Sequence, residues 1–159
     1  MTASEAHKEL TGQPFLEGLL ESDIKKLEAL AFEVRFLPEQ IVFREGDPSS
    51  FFYLILQGHI ALELQAPGRL FRIETVGEGE TLGWSSFQES VNKQFQARCL
   101  EATHTLAFDG PRLIALCEED PAFGFRIMRK VVATVADRLR ATRLQLLDVF
   151  ANRGGGAGQ

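Results

Sequence analysis

The chain has 159 residues, of which 45% are hydrophobic and 25% charged, and it carries a net charge of −5. This is the make-up of one globular domain with a hydrophobic core. No apolar run approaches the ~20 residues that span a bilayer. The polar, acidic start MTASEAHKEL is not a secretory signal, and the negative balance argues against general nucleic-acid binding.

Residues 1–13 read as a flexible lead. In 14–31, Phe15, Leu19, Leu20, Ile24, Leu27 and Leu30 recur at helical spacing. A break near Glu21 predicts a second helix capped by Ser22 or Asp23. The period then changes to that of strands. Val34, Phe36, Ile41 and Phe43 fit short strands on either side of a turn at Pro38, and Gly46-Asp47-Pro48 is a second turn.

Residues 51–57 (FFYLILQ) and 59–65 (HIALELQ) predict two strands around Gly58, and 70–76 alternates again. Residues 79–93 interrupt this pattern with glycine, tryptophan and two serines, which marks a candidate ligand cradle. Residues 94–102 and 103–109 supply further strands, for about eight in all. Regular short strands with frequent turns predict a sandwich or barrel.

Pro111 suits the first turn of a short helix. Asp120 and Pro121 then start a longer one. On it Met128, Val132, Val135, Leu139, Thr142, Leu146 and Val149 follow a three- and four-residue spacing. That seam predicts either packing across the β domain or a homodimer. The end, 151–159, reads as a flexible tail.

Charge is unevenly placed. Residues 1–124 hold 10 Lys/Arg against 20 Asp/Glu, and 125–159 hold 7 against 2. The basic end meets either an acidic partner, the acidic body of its own domain, or only solvent. Cys99 and Cys117 have no CxxC spacing and read as reduced thiols of a cytoplasmic protein. His7, His59 and His104 show no metal-ligand spacing, and no nucleophile motif such as GxSxG is present. Neither a metal, a cofactor nor an enzymatic reaction is expected.

The run REGDPSSFFYLILQGHIAL, then GEGETLGW, then KQFQARCLEATHTLAFD, then a long helix ending DRLRATRLQLLDV resembles the cyclic nucleotide-binding domain of bacterial catabolite-activator-type regulators, kinase regulatory subunits and gated channels. The resemblance covers about residues 14–150. It implies a mainly β fold, an eight-stranded antiparallel β-roll or jelly-roll with flanking helices and a long C-terminal helix. It also implies a phosphate-binding cassette and a ligand such as cAMP or cGMP. Gly46, Gly58, Gly79 and Gly83 fall where that family turns its roll.

The chemistry of such a cassette is general. A buried cyclic phosphate needs a cation and several N–H donors, and a ribose hydroxyl needs an acceptor. The resemblance places the site at Leu82, Gly83, Trp84, Ser85, Ser86, Lys93, Gln94, Phe95 and Thr142. Gly83 matches the family glycine at the ribose. Trp84 stands where the family has the glutamate that accepts from the 2′-hydroxyl, and Lys93 where it has the phosphate arginine. Gln94 and Phe95 replace a Ser or Thr and a small Ala. Thr142 matches a position that reaches the adenine in some members.

Trp84 has no acceptor for a hydroxyl, and Lys93 offers a point charge without the guanidinium fork. Trp84 either stacks on a ligand or fills the pocket as core. Ser85 and Ser86 either donate to a phosphate or cap the short cassette helix. Arg98 has the opposite strand parity to Lys93 and reads as a surface or interface residue. Thr142 is either an adenine contact or a polar register-setter.

Two functions follow from these readings. One is a stand-alone ligand-sensing domain that signals through its C-terminal helix. The other is an orphan domain whose filled pocket leaves it a dimeric module for an unspecified protein partner. Family transcription factors carry a helix-turn-helix after the long helix, and the chain reaches Gln159 without one. Direct DNA binding is therefore not expected.

Overall fold

The computed structural model describes residues 1–154. The helical segments are α1 (Ala3–Leu10), a 3-10 turn (Pro14–Leu16) and α2 (Glu21–Leu30), followed after the strands by α3 (Gly110–Glu119) and α4 (Pro121–Gly154). The strands are β1 (Phe32–Phe36), β2 (Ile41–Phe43), β3 (Phe51–Gln57), β4 (Ile60–Ala66), β5 (Arg69–Val76), β6 (Thr81–Leu82), β7 (Gln96–Cys99) and β8 (Thr103–Asp109). A second 3-10 turn, Trp84–Phe87, follows β6. The strands form two four-stranded sheets, ordered β1-β8-β3-β6 and β2-β7-β4-β5, and every pairing is antiparallel. This is the expected roll with its long C-terminal helix.

The unbroken apolar run of β3 has a simple cause. Phe52, Leu54 and Leu56 face the helices and join Leu10, Leu27, Leu113, Phe123 and Ile127 in one core. Tyr53 and Ile55 face the other way, into the roll, with Phe36, Phe43, Ile60, Leu62, Val76 and Cys99. A strand buried on both faces has no polar side to show. Strand β4 does not keep the expected alternation: Ile60, Ala61, Leu62 and Glu63 are all buried and Leu64 is exposed, and Glu63 is buried by pairing rather than by apolar contact. Arg98 donates to both of its carboxylate oxygens, at 3.0 and 2.8 Å. Arg98 also donates to Glu39 at 2.6 Å, which makes it the centre of an ion-pair network with Glu63 and Glu39.

Several expectations need correction. The lead 1–13 is not merely flexible, because 3–10 form a helix. Thr2 and Glu5 make its capping box, and Leu10 is fully buried. Helix α2 has no Ser22 or Asp23 N-cap. Asp23 sits inside the first turn and accepts from the Leu20 N–H at 3.0 Å. Strand β7 starts at Gln96, which leaves Gln94 and Phe95 on a loop. The two-residue strand β6 lay hidden inside the cradle. The tail 151–159 is helical over 151–154, and the remainder lies outside the described residues.

The starts of α3 and α4 match expectation. Asp109 accepts from the Arg112 N–H at 2.9 Å, and Asp120 accepts from the Phe123 N–H at 3.2 Å. Helix α4 packs on the body through Phe123, Gly124 and Ile127. Arg126 and Arg138 tie it to Asp23 and Glu74, so part of the basic end meets the acidic body of its own domain. Every residue from 139 to 154 is exposed. Of the seam, Met128 packs on the helix-side core, whereas Val132, Leu139, Leu146 and Val149 are exposed. No helix among the described residues is long and apolar enough to cross a membrane.

Candidate functional site

The cradle is built around Gly83, which ends β6 with φ of 87°. A Cβ there would lie 2.3 Å from the Phe51 carbonyl oxygen and 3.3 Å from Lys93 Nζ. Only glycine fits both the left-handed backbone and the space. The 3-10 turn Trp84–Phe87 follows, and its tight geometry leaves the first N–H groups without intrahelical acceptors. Gly46 and Gly58 also have positive φ, as do Gly68 and Gly79, so the four turn glycines singled out in the sequence all take the left-handed region.

Lys93 is placed by its backbone. Its N–H donates to the Asp47 carbonyl and its carbonyl accepts from the Gly46 N–H, both at 2.8 Å. This clamp to the turn after β2 points the side chain inward, where the residue is only 5% exposed. Lys93 Nζ lies 4.3 Å from the centre of the Phe43 ring and 3.4 Å from Ser85 Oγ. Ser85 Oγ in turn lies 2.6 Å from Ser49 Oγ. No carboxylate pairs with Lys93 among the described residues. Burial holds its pKa down at about 8.

A cavity of about 250 Å³ opens onto this ammonium group. Six of the expected residues, Gly83, Trp84, Ser85, Lys93, Gln94 and Phe95, line it together with Phe43, Gln88 and Val91. Phe95 packs on Phe43 with ring centres 6.1 Å apart. Trp84 faces the cavity and also packs on the helix-side core.

Three predicted residues are elsewhere. Leu82 is buried in the roll core. Ser86 is buried beneath the turn against Gly110, where a Cβ on the glycine would meet Ser86 Oγ at 2.8 Å. Thr142 is exposed on α4, beyond its last contact with the body, and its hydroxyl donates to the Arg138 carbonyl. Neither serine caps the turn, since Gly83 occupies the cap position without a side-chain bond. Phe43 and Val91 escaped notice because one read as ordinary strand core and the other as loop. A purely apolar wall carries no motif.

A roll of two antiparallel sheets, with a buried cation beside a short helical turn, is the architecture of a known domain family. A family model described as cyclic nucleotide-binding domain matches residues 33–120, and the chain belongs to that family. It is similar to a protein of Rhodopseudomonas palustris that bears the name of a potassium channel. The two are 27% identical over 139 residues, which cover 86% of this chain and 32% of the relative. This chain therefore spans about a third of that relative's length. In structure it resembles a cyclic nucleotide-binding domain from Methylobacillus flagellatus, with TM-score 0.78, 17% identity, and 92% and 83% of the two chains covered. It also resembles the regulatory subunit of a cAMP-independent protein kinase A from Trypanosoma brucei. There the TM-score is 0.61 and the identity 20%, over 68% of this chain and 40% of that one.

Proposed function

We propose that this chain is a regulatory ligand-sensing domain in which a small anion, a cyclic nucleotide or a relative of one, seats on Lys93 and the cassette passes the event to α4. The observation that carries this reading is Lys93 itself. A buried ammonium group without a carboxylate, facing an open cavity, is costly unless an anion visits it. The walls contributed by Trp84 and Phe95 leave that cavity unfilled, which favours a sensor over a plugged interaction module.

The route to α4 runs through two close glycine contacts. Ser86 of the cassette lies against Gly110 at the start of α3, and Cys117 of α3 lies against Gly124 of α4. A ligand shifts this relay only by favouring one cassette position over another. Gly110→Ala places a Cβ 2.5 Å from the Ser86 carbonyl oxygen. That overpacking costs about 1–3 kcal/mol. The expected result is a lower melting temperature and an α4 whose hydrogen exchange no longer responds to ligand. An unchanged exchange response would remove the relay from the mechanism.

Calorimetry with cAMP, cGMP and inorganic phosphate between pH 6.5 and 9.5 tests the site. An anion needs the protonated amine, so affinity holds up to about pH 8 and falls above it, roughly tenfold per unit. No heat from any of the three at millimolar concentration would sink this reading in its nucleotide and phosphate form.

The exposed Val132, Leu139, Leu146 and Val149 support pairing of α4 with a second copy. Sedimentation at tens of micromolar is expected to give twice the 17.7 kDa chain mass. Leu139→Glu with Leu146→Glu is expected to return the monomer, and a wild-type monomer would count against pairing.

A further inference from the structure

The Lys93 cavity is more particular than a general anion site. We infer that it takes a compact monoanion with a flat, apolar body, in the manner of an aromatic carboxylate, in preference to a ribonucleotide. This rests on the reading of Lys93 as the anion contact and adds the chemistry of the rest of the ligand.

The lining carries one cation and no carboxylate. One positive charge balances one negative charge, which suits a monoanion. Sugar hydroxyls brought into such a space each need an acceptor, and a buried one left unpaired costs most of its hydration. Besides the backbone N–H groups at the start of the cassette turn, which are donors and cannot accept from a hydroxyl, the polar groups on offer are the Ser85 hydroxyl and the amides of Gln88 and Gln94. Ser85 Oγ is already shared between Ser49 Oγ and Lys93 Nζ, and both glutamines sit on the exposed rim.

The remaining walls are Phe43, Trp84, Val91 and Phe95. Aromatic faces and a branched aliphatic chain favour a flat apolar group over a hydroxylated ring. The volume of about 250 Å³ lies just under the range of roughly 300–1,000 Å³ typical of drug-sized ligands. A small aromatic acid is therefore a better match than a large polar ligand.

Calorimetry at pH 7 with 1-naphthoate, inorganic phosphate, cAMP and 2′-deoxy-cAMP distinguishes the cases. Naphthoate is expected to bind at least tenfold tighter than cAMP, and cAMP and its 2′-deoxy form to bind alike within threefold. Lys93→Met is expected to end naphthoate binding. Trp84→Leu, which keeps apolar bulk but loses the ring face, is expected to cut the naphthoate-to-phosphate affinity ratio at least tenfold. Measuring a ratio keeps the result independent of any partial unfolding.

cAMP binding tighter than naphthoate, or tenfold tighter than 2′-deoxy-cAMP, overturns the inference. So does naphthoate binding that survives Lys93→Met. Lys93-dependent binding of phosphate or cAMP without naphthoate binding overturns the inference and leaves the sensing function standing. Silence with all four overturns both.

Discussion

Lys93→Met is expected to end anion binding and, in the absence of ligand, to raise the melting temperature by roughly 3–10 °C, because the site is built at the expense of the fold. Burial lowers the Lys93 pKa from 10.5 to about 8. At 1.36 kcal/mol per unit that corresponds to about 3 kcal/mol of unfavourable burial at neutral pH. Methionine removes the charge and keeps the length. It forfeits the contact with the Phe43 ring, about 0.5–2 kcal/mol, so a net gain of about 1–3 kcal/mol remains. For a domain of this size each kcal/mol moves the melting point by roughly 2–4 °C.

The pH dependence has a definite sign. The folded-state pKa lies below the unfolded value, so between about 8 and 10.5 the unfolded chain holds more protons. Wild-type stability therefore rises with pH across that window, and below about 8 the whole cost is present. In Lys93→Met this rise is absent. Melting curves from pH 6 to 10.5 on both proteins check the prediction. A variant that melts lower than wild type at pH 7 would show that the ammonium group stabilises the empty fold.

Arg126→Met is expected to destabilise the domain by about 3 kcal/mol. The Asp23 carboxylate is 1% exposed and accepts from Arg126 Nε at 2.6 Å and Nη2 at 2.7 Å. Among the described residues its one other hydrogen bond comes from the Leu20 N–H. Removing the guanidinium group leaves a buried charge with one donor, a loss measured elsewhere at about 3–5 kcal/mol. The lower figure applies here because Arg126 itself is partly exposed. The pair joins α2 to α4, so its loss also loosens the helix that leaves the body.

The hydrogen bonds from Arg126, against the opposing effect of burial, hold the Asp23 pKa below its ordinary value of 3.8. The wild-type contribution is complete above that value and is lost as the pH falls through the lower folded value. In Arg126→Met, burial acts with little opposition and raises the Asp23 pKa. The variant should then lose stability as the pH rises from 4 toward neutral, opposite to the wild-type trend. Asp23→Leu combined with Arg126→Met is expected to recover part of the loss, because no unpaired charge remains. A double variant no more stable than Arg126→Met would mean that the charge is not what matters.

These two sites mark where reading the chain stops being enough. The β-branched and apolar runs in 59–65 and 70–76, the turn glycines Gly46, Gly58, Gly79 and Gly83, and the Asp120–Pro121 helix start all act through neighbours within a few residues. Their consequences follow from local backbone geometry, so most strands, the turns and the long helix could be assigned from the chain alone, whereas β6 and the start of β7 could not. Gly83, Trp84, Ser85 and Lys93 are grouped by the family resemblance, and the structure brings them to one cavity.

The remaining features depend on contacts between distant residues. Lys93 turns inward where its backbone is clamped to Gly46 and Asp47, and there its Nζ meets the Phe43 ring of a distant strand. Asp23 meets Arg126 across 103 positions, and no periodicity carries such a pairing. Thr142 has the right place in the chain but sits on α4 past the point where the helix leaves the body. Local interactions settle which segments are strands and helices. Long-range backbone pairing settles which side chains meet, and it is this that turns a glycine-tryptophan-serine turn into a cavity with a buried cation.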